Sequence, residues 1–467
     1  MDNETTKRET LGSRLGFLLL SAGCAIGLGN VWRFPFITGK YGGAVFLIAY
    51  LVFLLLMGLP VLIMEFSVGR ASRLNMSGAL HSLEPKGAVW HGFGWFTIVG
   101  STLLMMFYIP VAGWMLDYMC KSFAGTLQAP PGVADASAHV GSIFSDMLAN
   151  PREMIGFTLL TSVIGFGVCA GGVQKSVERV TKFMMAGLLI VMIGLAIYAA
   201  TRDGGVEGLK FYLKPDFARA KQAGLLALLN DAMNQAFFTL SIGIGAMCLI
   251  GSYLKKERTL TTESAIVVGL DTFVAITAGL IIFPACFANG VSPDAGPGLI
   301  FVTLPGVFNG MPPIAGRVFG TLFFVFMSAA ALTTVIAVVE GIIAYGMDTW
   351  GWSRAKSTAI NFVCTTLLTL PCILGFNVWK KLAIPKIGGV LDIEDFLVSN
   401  TLLPIGALVF CLFCCHKSGW GWDGFIAEAD TGARGMKFPK ALRFYLTWIL
   451  PVILFAIIVI GYVQKFK

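Results

Sequence analysis

The chain has 467 residues, 56% of them hydrophobic and 13% charged, with a formal net charge of +8. A water-soluble core cannot bury that much apolar surface, so composition excludes a soluble globular domain and points to a polytopic membrane protein. The positive charge does not indicate nucleic acid: Lys and Arg fall in short clusters between apolar runs, with no continuous basic face, where lipid headgroups account for them.

In chain order, the polar segment 1–13 lacks the apolar core and small-residue cleavage site of a signal peptide, so the run after it is expected to stay in the membrane. Apolar runs long enough to span a bilayer lie near 13–37, 42–66, 90–123, 154–172, 181–200, 224–252, 264–290, 315–347, 357–376, 396–415 and 441–463. The expected fold is therefore an all-α integral membrane protein of about eleven transmembrane helices, with the termini on opposite sides. Basic residues cluster before the first run (Lys7, Arg8, Arg14) and in alternate loops (Arg70, Arg73 and Lys86; Lys175, Arg179 and Lys182; Lys255, Lys256 and Arg258). The positive-inside rule places these segments and the N-terminus in the cytoplasm, and the C-terminus outside. Segments 124–153, 201–223 and 289–314 then read as outer loops. Most of the ten cysteines lie within apolar runs, where Cys acts as a small hydrophobe, and no disulfide is expected.

The first run contains Ala22-Gly-Cys-Ala-Ile-Gly-Leu-Gly-Asn30, and the sixth contains Thr239-Leu-Ser-Ile-Gly-Ile-Gly245. Gly-interrupted spans about two hundred residues apart point to a 5+5 inverted repeat with broken helices 1 and 6. The expected divisions are a cytoplasmic segment 1–13, a first repeat 14–200, an inverted repeat 224–415, and a linker with the eleventh helix at 416–467. Close helix packing is the competing reading of Gly27 and Gly29, but Asn30 and the matching break in the sixth run argue against it. In hydrocarbon, freed peptide groups survive only where something bonds them. Half-helix N-termini offer N–H groups to an anion and C-termini offer C=O groups to a cation, so two facing breaks suit a zwitterion with a hard metal cation, as in an amino acid with Na+. Hard oxygens are available from carbonyls near Gly23, Ala25 and Ile26, from Asn30, Thr239, Thr333 and Thr334, and from Asp271. The four histidines are scattered at or near loops, and Cys411-Leu-Phe-Cys-Cys415 reads as packing, so no soft-metal site is expected.

The motifs Gly27-Leu-Gly-Asn-Val-Trp-Arg-Phe-Pro35, Gly58-Leu-Pro with Met64-Glu-Phe-Ser-Val-Gly-Arg70, Phe107-Tyr108 with Trp114, Gln235 to Gly245, and Ala330-Ala-Leu-Thr-Thr334 occur together. On these the chain resembles a bacterial member of the neurotransmitter:sodium symporter family, from about Arg8 to its end. The resemblance implies one sodium site at Ala25, Asn30, Thr239 and Asp271, completed by the substrate carboxylate. It implies a second at the carbonyls of Gly23, Ile26 and Ala330 with the hydroxyls of Thr333 and Thr334. The substrate carboxylate would meet Leu28, Gly29 and Tyr108, and its ammonium Ala25, Phe238, Thr239 and Ser241. Its side chain would lie among Leu104, Tyr108, Phe238, Ser241, Ile244, Thr334 and Val338.

The resemblance further pairs Arg33 with Asp395 as an outer gate, although a lipid-facing anchor is the competing reading of Arg33. It pairs Arg8 with Asp348 as an inner gate, where plain solvated charges remain the alternative. It sets Glu65 against the unwound helices rather than against Arg70. Members that carry monoamines place an acid where Gly27 stands. Animal members, which bind chloride, typically have Asn at the position of Asp271 and a neutral residue one turn later. A chloride-independent bacterial relative keeps that Asn and places Glu one turn later. This chain departs from both patterns, with Asp271 followed by Ala275 one turn on, and the comparison implies that the Asp271 carboxylate supplies the charge in place of chloride. The implied activity is uptake of a neutral, hydrophobic L-amino acid with two co-transported Na+ across the bacterial cytoplasmic (inner) membrane, independent of chloride and without an organic cofactor. The alternatives are a proton-coupled or exchange-type permease on the same fold and, more remotely, a membrane enzyme or a channel. The amino acid preferred and the choice between monomer and dimer are left open.

Overall fold

The computed structural model describes residues 9–130, 136–202, 204–288 and 298–466. The chain is helical throughout, and its elements in order are α1 (Arg14–Ala25), α2 (Gly29–Lys40), α3 (Ala44–Ser72), α4 (Met76–Leu83) and α5 (Trp90–Ala124), then α6 (Ala136–Ala149), α7 (Pro151–Ala170) and α8 (Val173–Ala200). There follow α9 (Gly205–Leu213), α10 (Phe217–Ala223), α11 (Leu225–Thr239), α12 (Ala246–Ser252), α13 (Leu260–Ala288) and α14 (Leu299–Asn309). The last are α15 (Pro313–Trp350), α16 (Arg354–Leu374), α17 (Val390–Cys415), α18 (Gly421–Ala429) and α19 (Lys440–Phe466).

Among the described residues nine helices are long and apolar enough to cross a membrane alone, and α1 with α2 forms a tenth span bent by 53°. The remaining apolar run of the sequence, 224–252, is α11 and α12, of 15 and 7 residues, separated by an unwound stretch. Neither half spans by itself, and Asn230, Asn234 and Gln235 are buried polar residues of α11. The segments expected as outer loops hold helices instead: α6 lies within 124–153, and α9 and α10 within 201–223. In the third, 289–297 lies outside the described residues and α14 occupies 299–309. Leu299, Ile300, Phe301 and Leu304 of α14 are buried, which explains why so apolar a stretch folds back onto the bundle.

The centre is formed by α1 and α15. Every residue of α1 from Gly16 to Ala25 is buried, and α15 packs along α5, α8 and α1. Small residues allow these backbones to approach: a side chain on Gly23 would stand 3.1 Å from the Thr333 Cβ, and one on Gly165 2.8 Å from Val335. The rim is lipid-like, with Phe183, Ile190, Val452 and Phe455 exposed.

Candidate functional site

Both breaks begin where helical hydrogen bonding stops, and each is bonded from outside. Ile26 leaves α1 with ψ 96°, and Asn30 closes the gap by accepting the Gly27 N–H at its Oδ1, 3.2 Å away. In the second break Ser241, Gly243 and Gly245 take positive φ of 50°, 99° and 76°. Gly243 has no alternative, because a side chain there would collide with the Leu403 carbonyl of α17. The freed Gly243 N–H donates to Glu65 Oε1 at 2.5 Å, so this acid caps the unwound segment. Arg70 pairs instead with Glu428 of α18, at 2.6 Å. The breaks also bond each other: Gln235 Nε2 donates to the Gly29 carbonyl at 3.0 Å and Ser241 Oγ to the Cys24 carbonyl at 2.9 Å.

Asp271 is fully buried on α13 and accepts from three side chains. Asn30 Nδ2 lies 2.8 Å away, Thr239 Oγ1 3.0 Å, and Tyr50 OH 3.3 Å. Neither Lys nor Arg is among these partners. A buried carboxylate served by neutral donors alone is expensive, and a cation beside it would supply the missing charge. Asn30 and Thr239 thus meet at Asp271, in an arrangement that differs in one respect from the expected ligand set. The Asn30 oxygen expected to face a cation is held by Gly27 N–H while its amide nitrogen faces Asp271, so seating a cation there requires the amide to turn.

Around the end of α1, the Thr334 hydroxyl sits among four carbonyl oxygens, those of Gly23 (3.3 Å), Cys24 (3.4 Å), Ala330 (3.4 Å) and Ile26 (3.5 Å). One hydroxyl proton cannot satisfy four acceptors, and converging neutral oxygens are what a hard monovalent or divalent cation binds. Thr333 Oγ1 donates to the Ala330 carbonyl at 2.9 Å, at the edge of the same cluster.

Beside Thr334 and the two breaks lies a cavity of about 20 Å³, lined by Ala25, Gly27, Gly29, Leu104, Tyr108, Phe238, Ser241, Ile244, Thr334 and Leu403. It has room for little more than a water. Its polar end is the Tyr108 hydroxyl, which accepts the Leu28 N–H at 3.0 Å. Leu28 itself lines the larger outer cavity, Thr239 turns toward Asp271, and Val338 lines a neighbouring inner cavity with Ile244 and Ser101. Leu403 joins the lining unforeseen, as does Tyr50 the carboxylate.

Above Phe238 an outer cavity of about 330 Å³ reaches Arg33, Lys40, Asp231, Asp392 and Asp395. Arg33 lies 4.7 Å over the Phe238 ring. It does not touch Asp395: Nη1 donates to Ser399 Oγ at 3.0 Å, and Ser399 Oγ donates to Asp395 Oδ1 at 2.8 Å. The expected direct pair is thus a relay through Ser399, one turn further along α17. On the opposite face Asp348 accepts the Asn75 N–H at 2.8 Å, while Arg8 lies outside the described residues. Further closures there went unforeseen. Glu340 receives Tyr253 OH at 3.0 Å and Arg354 at 2.9 Å, Glu178 receives Gly12 N–H at 2.6 Å, and Arg14 pairs with Glu263 at 3.0 Å. Glu340 carried a readable signal, as an acid flanked on both sides by apolar residues within the 38-residue helix α15.

The sequence matches the model of the Sodium:neurotransmitter symporter family over residues 8–131 and 146–466. It is 35% identical over 441 residues to the uncharacterized sodium-dependent transporter YhdH of Bacillus subtilis, covering 93% of this chain and 92% of that protein. It is 31% identical over 476 residues to an uncharacterized sodium-dependent transporter of Haemophilus influenzae, covering 98% and 99%. The fold is similar to the crystal structure of MhsT in complex with L-phenylalanine, with a TM-score of 0.87 and 36% identity over 97% of this chain and 100% of that one. Broken helices, buried oxygen clusters and these likenesses lead to one conclusion: the chain belongs to the sodium:neurotransmitter symporter family, and is a sodium-dependent membrane transporter and not an enzyme.

Proposed function

We propose that the protein imports a neutral, hydrophobic L-amino acid by symport with two Na+, through alternating access around the two breaks and without chloride. The observation that carries this reading is the buried Asp271 carboxylate, bonded by Asn30, Thr239 and Tyr50 and facing no protein cation among its partners. One Na+ would bind Asp271, Thr239, Ala25, a turned Asn30 and the substrate carboxylate. The other would bind the carbonyls around Thr334 together with Thr333. The substrate carboxylate would take over the Leu28 and Gly29 N–H groups beside Tyr108, and its ammonium the carbonyls at the second break. Leu104, Phe238, Ile244 and Leu403 make the rest of the lining apolar, which suits a hydrophobic side chain. The L-phenylalanine bound by MhsT supports the same class.

With the repeats at 14–200 and 224–415 and the basic loops in the cytoplasm, transport runs inward across the bacterial inner membrane. Each Na+ moving with a zwitterion gains roughly 2.3 kcal/mol per 100 mV. Two give about 4.6 kcal/mol, which supports more than a thousandfold accumulation at that potential. The test is uptake of labelled phenylalanine, leucine and tryptophan into proteoliposomes under an inward Na+ gradient, and under a proton gradient without Na+. Uptake that follows the Na+ gradient and increases with an inside-negative potential supports symport. Equal uptake without Na+ assigns the protein to a proton-coupled or exchange mechanism.

A further inference from the structure

The histidines expected to be scattered are not all so. The turn between α4 and α5 brings His81, Glu84 and His91 together, with their ligand atoms within 4.8 Å of one another. Both imidazoles present Nδ1 to the same carboxylate oxygen, Glu84 Oε1, at 3.0 Å for His81 and 2.6 Å for His91, and the rings stand edge to face with centroids 5.0 Å apart. Glu84 is the anchored member. Its side chain is only 5% exposed, and Oε2 accepts the His91 N–H at 3.2 Å. Burial acts against its ionisation, but the hydrogen bonds from His91 and His81 prevail and hold the carboxyl below its ordinary value. His81 and His91 remain exposed, at 73% and 47%, so the open side faces solvent.

We propose that His81, Glu84 and His91 form a binding site for a zinc-like divalent cation, with water as the fourth ligand, which ties α4 to the foot of α5. Two imidazoles and one carboxylate are a donor set that Zn2+ takes with an open position. Tetrahedral bonds of 2.0–2.1 Å put ligand atoms about 3.3 Å apart, so the Nδ1–Oε1 distances of 3.0 and 2.6 Å would open by about 0.3 and 0.7 Å as the cation displaces the protons between them. The loop is held for that purpose from both sides. Gly94 lets Ser77 of α4 lie against the start of α5, where any side chain would collide with it. Trp90 donates from Nε1 to the Ser418 carbonyl at 2.6 Å and packs its ring on Phe413. The tie reaches the inner face, because Asn75, which caps α4, donates its N–H to Asp348 of α15.

The test uses the full-length protein purified in detergent, stripped of metal and titrated with Zn2+ against a chromophoric chelator. The expected result is one tight equivalent per chain, weakened at least about tenfold in His81→Gln and in His91→Gln, and unchanged in His139→Gln, on α6 and outside the cluster. Zn2+ should also raise the thermal midpoint of the unmodified protein and leave that of the His81→Gln/His91→Gln double variant unmoved, as a ligand selective for the folded site must. The double variant should keep its sodium-dependent substrate binding, which shows that it folds. Zn2+ binding of equal strength in the double variant, or none in the unmodified protein, overturns the proposal.

Discussion

Replacing Asp271 by Asn changes one heavy atom and removes the full negative charge that the protein itself brings to the proposed first sodium site. Asn30 Nδ2, Thr239 Oγ1 and Tyr50 OH all point at this carboxylate. An amide keeps one acceptor oxygen but turns an NH2 group toward at least one of those donors. A hydrogen bond to a charged group contributes about 1.5–3 kcal/mol against about 0.5–1.5 for a neutral one, and the cation loses a comparable charge-assisted ligand. A net loss of about 2–3 kcal/mol in sodium binding corresponds to a roughly 30- to 150-fold rise in the Na+ concentration for half-maximal uptake. The assay is a Na+ titration of amino-acid uptake in proteoliposomes, with chloride or gluconate as the counter-ion. The unmodified protein should be indifferent to that exchange. Adding Ala275→Ser, one turn along the same buried face of α13, should make the double variant respond to chloride. A sodium requirement within about threefold of the unmodified protein in Asp271→Asn refutes the assignment of this carboxylate to the cation.

Thr334→Ala removes the hydroxyl at the focus of four carbonyls, and should raise the sodium requirement by about tenfold, equivalent to roughly 1.4 kcal/mol; an unchanged Na+ titration places the second cation elsewhere. Gly27→Ala points a methyl at the Tyr108 hydroxyl and at Thr334 Oγ1, 2.7 Å away, so amino-acid binding should vanish in equilibrium binding, and near-normal affinity would show that the substrate does not sit there. In the unmodified protein isoamylamine, which lacks the carboxylate, should fail to compete with leucine for the same site. Ser399→Ala cuts the relay between Arg33 and Asp395; it should raise the labelling rate of a cysteine reporter placed at Phe238 relative to Ser399 itself, and identical rates would mean that the relay does not close the outer cavity.

The broken helices were legible because their chemistry is local. Glycines and Asn30 in a lipid-length run, matched by Ser241 and Gly243 two hundred residues later, conflict with a plain span, and the conflict identifies the site. Asp271 was legible for the same reason, as a carboxylate inside an apolar stretch. Tyr50 was not, because an aromatic in an apolar run looks like packing until the direction of its hydroxyl is known. Leu403 was hidden because it reaches the cavity from α17, whose approach to Gly243 depends on two backbones touching. Arg33 and Asp395 were legible as opposite charges but not as a geometry, since the hydroxyl between them depends on how far α2 and α17 stand apart. Helices α6, α9, α10 and α14 were missed because span counting separates membrane from non-membrane sequence and says little about segments that fold against the bundle from outside.

If a sodium ion and an amino acid bind together at the two breaks, each must depend on the other. Equilibrium binding of labelled L-phenylalanine and L-leucine to the purified protein, with Na+ or choline as the cation and gluconate in place of chloride, measures that dependence. Saturable binding that requires Na+, persists in gluconate and is lost in Asp271→Asn at moderate Na+ is the predicted result. Binding of the same strength in choline, or none for any hydrophobic amino acid in Na+, contradicts it.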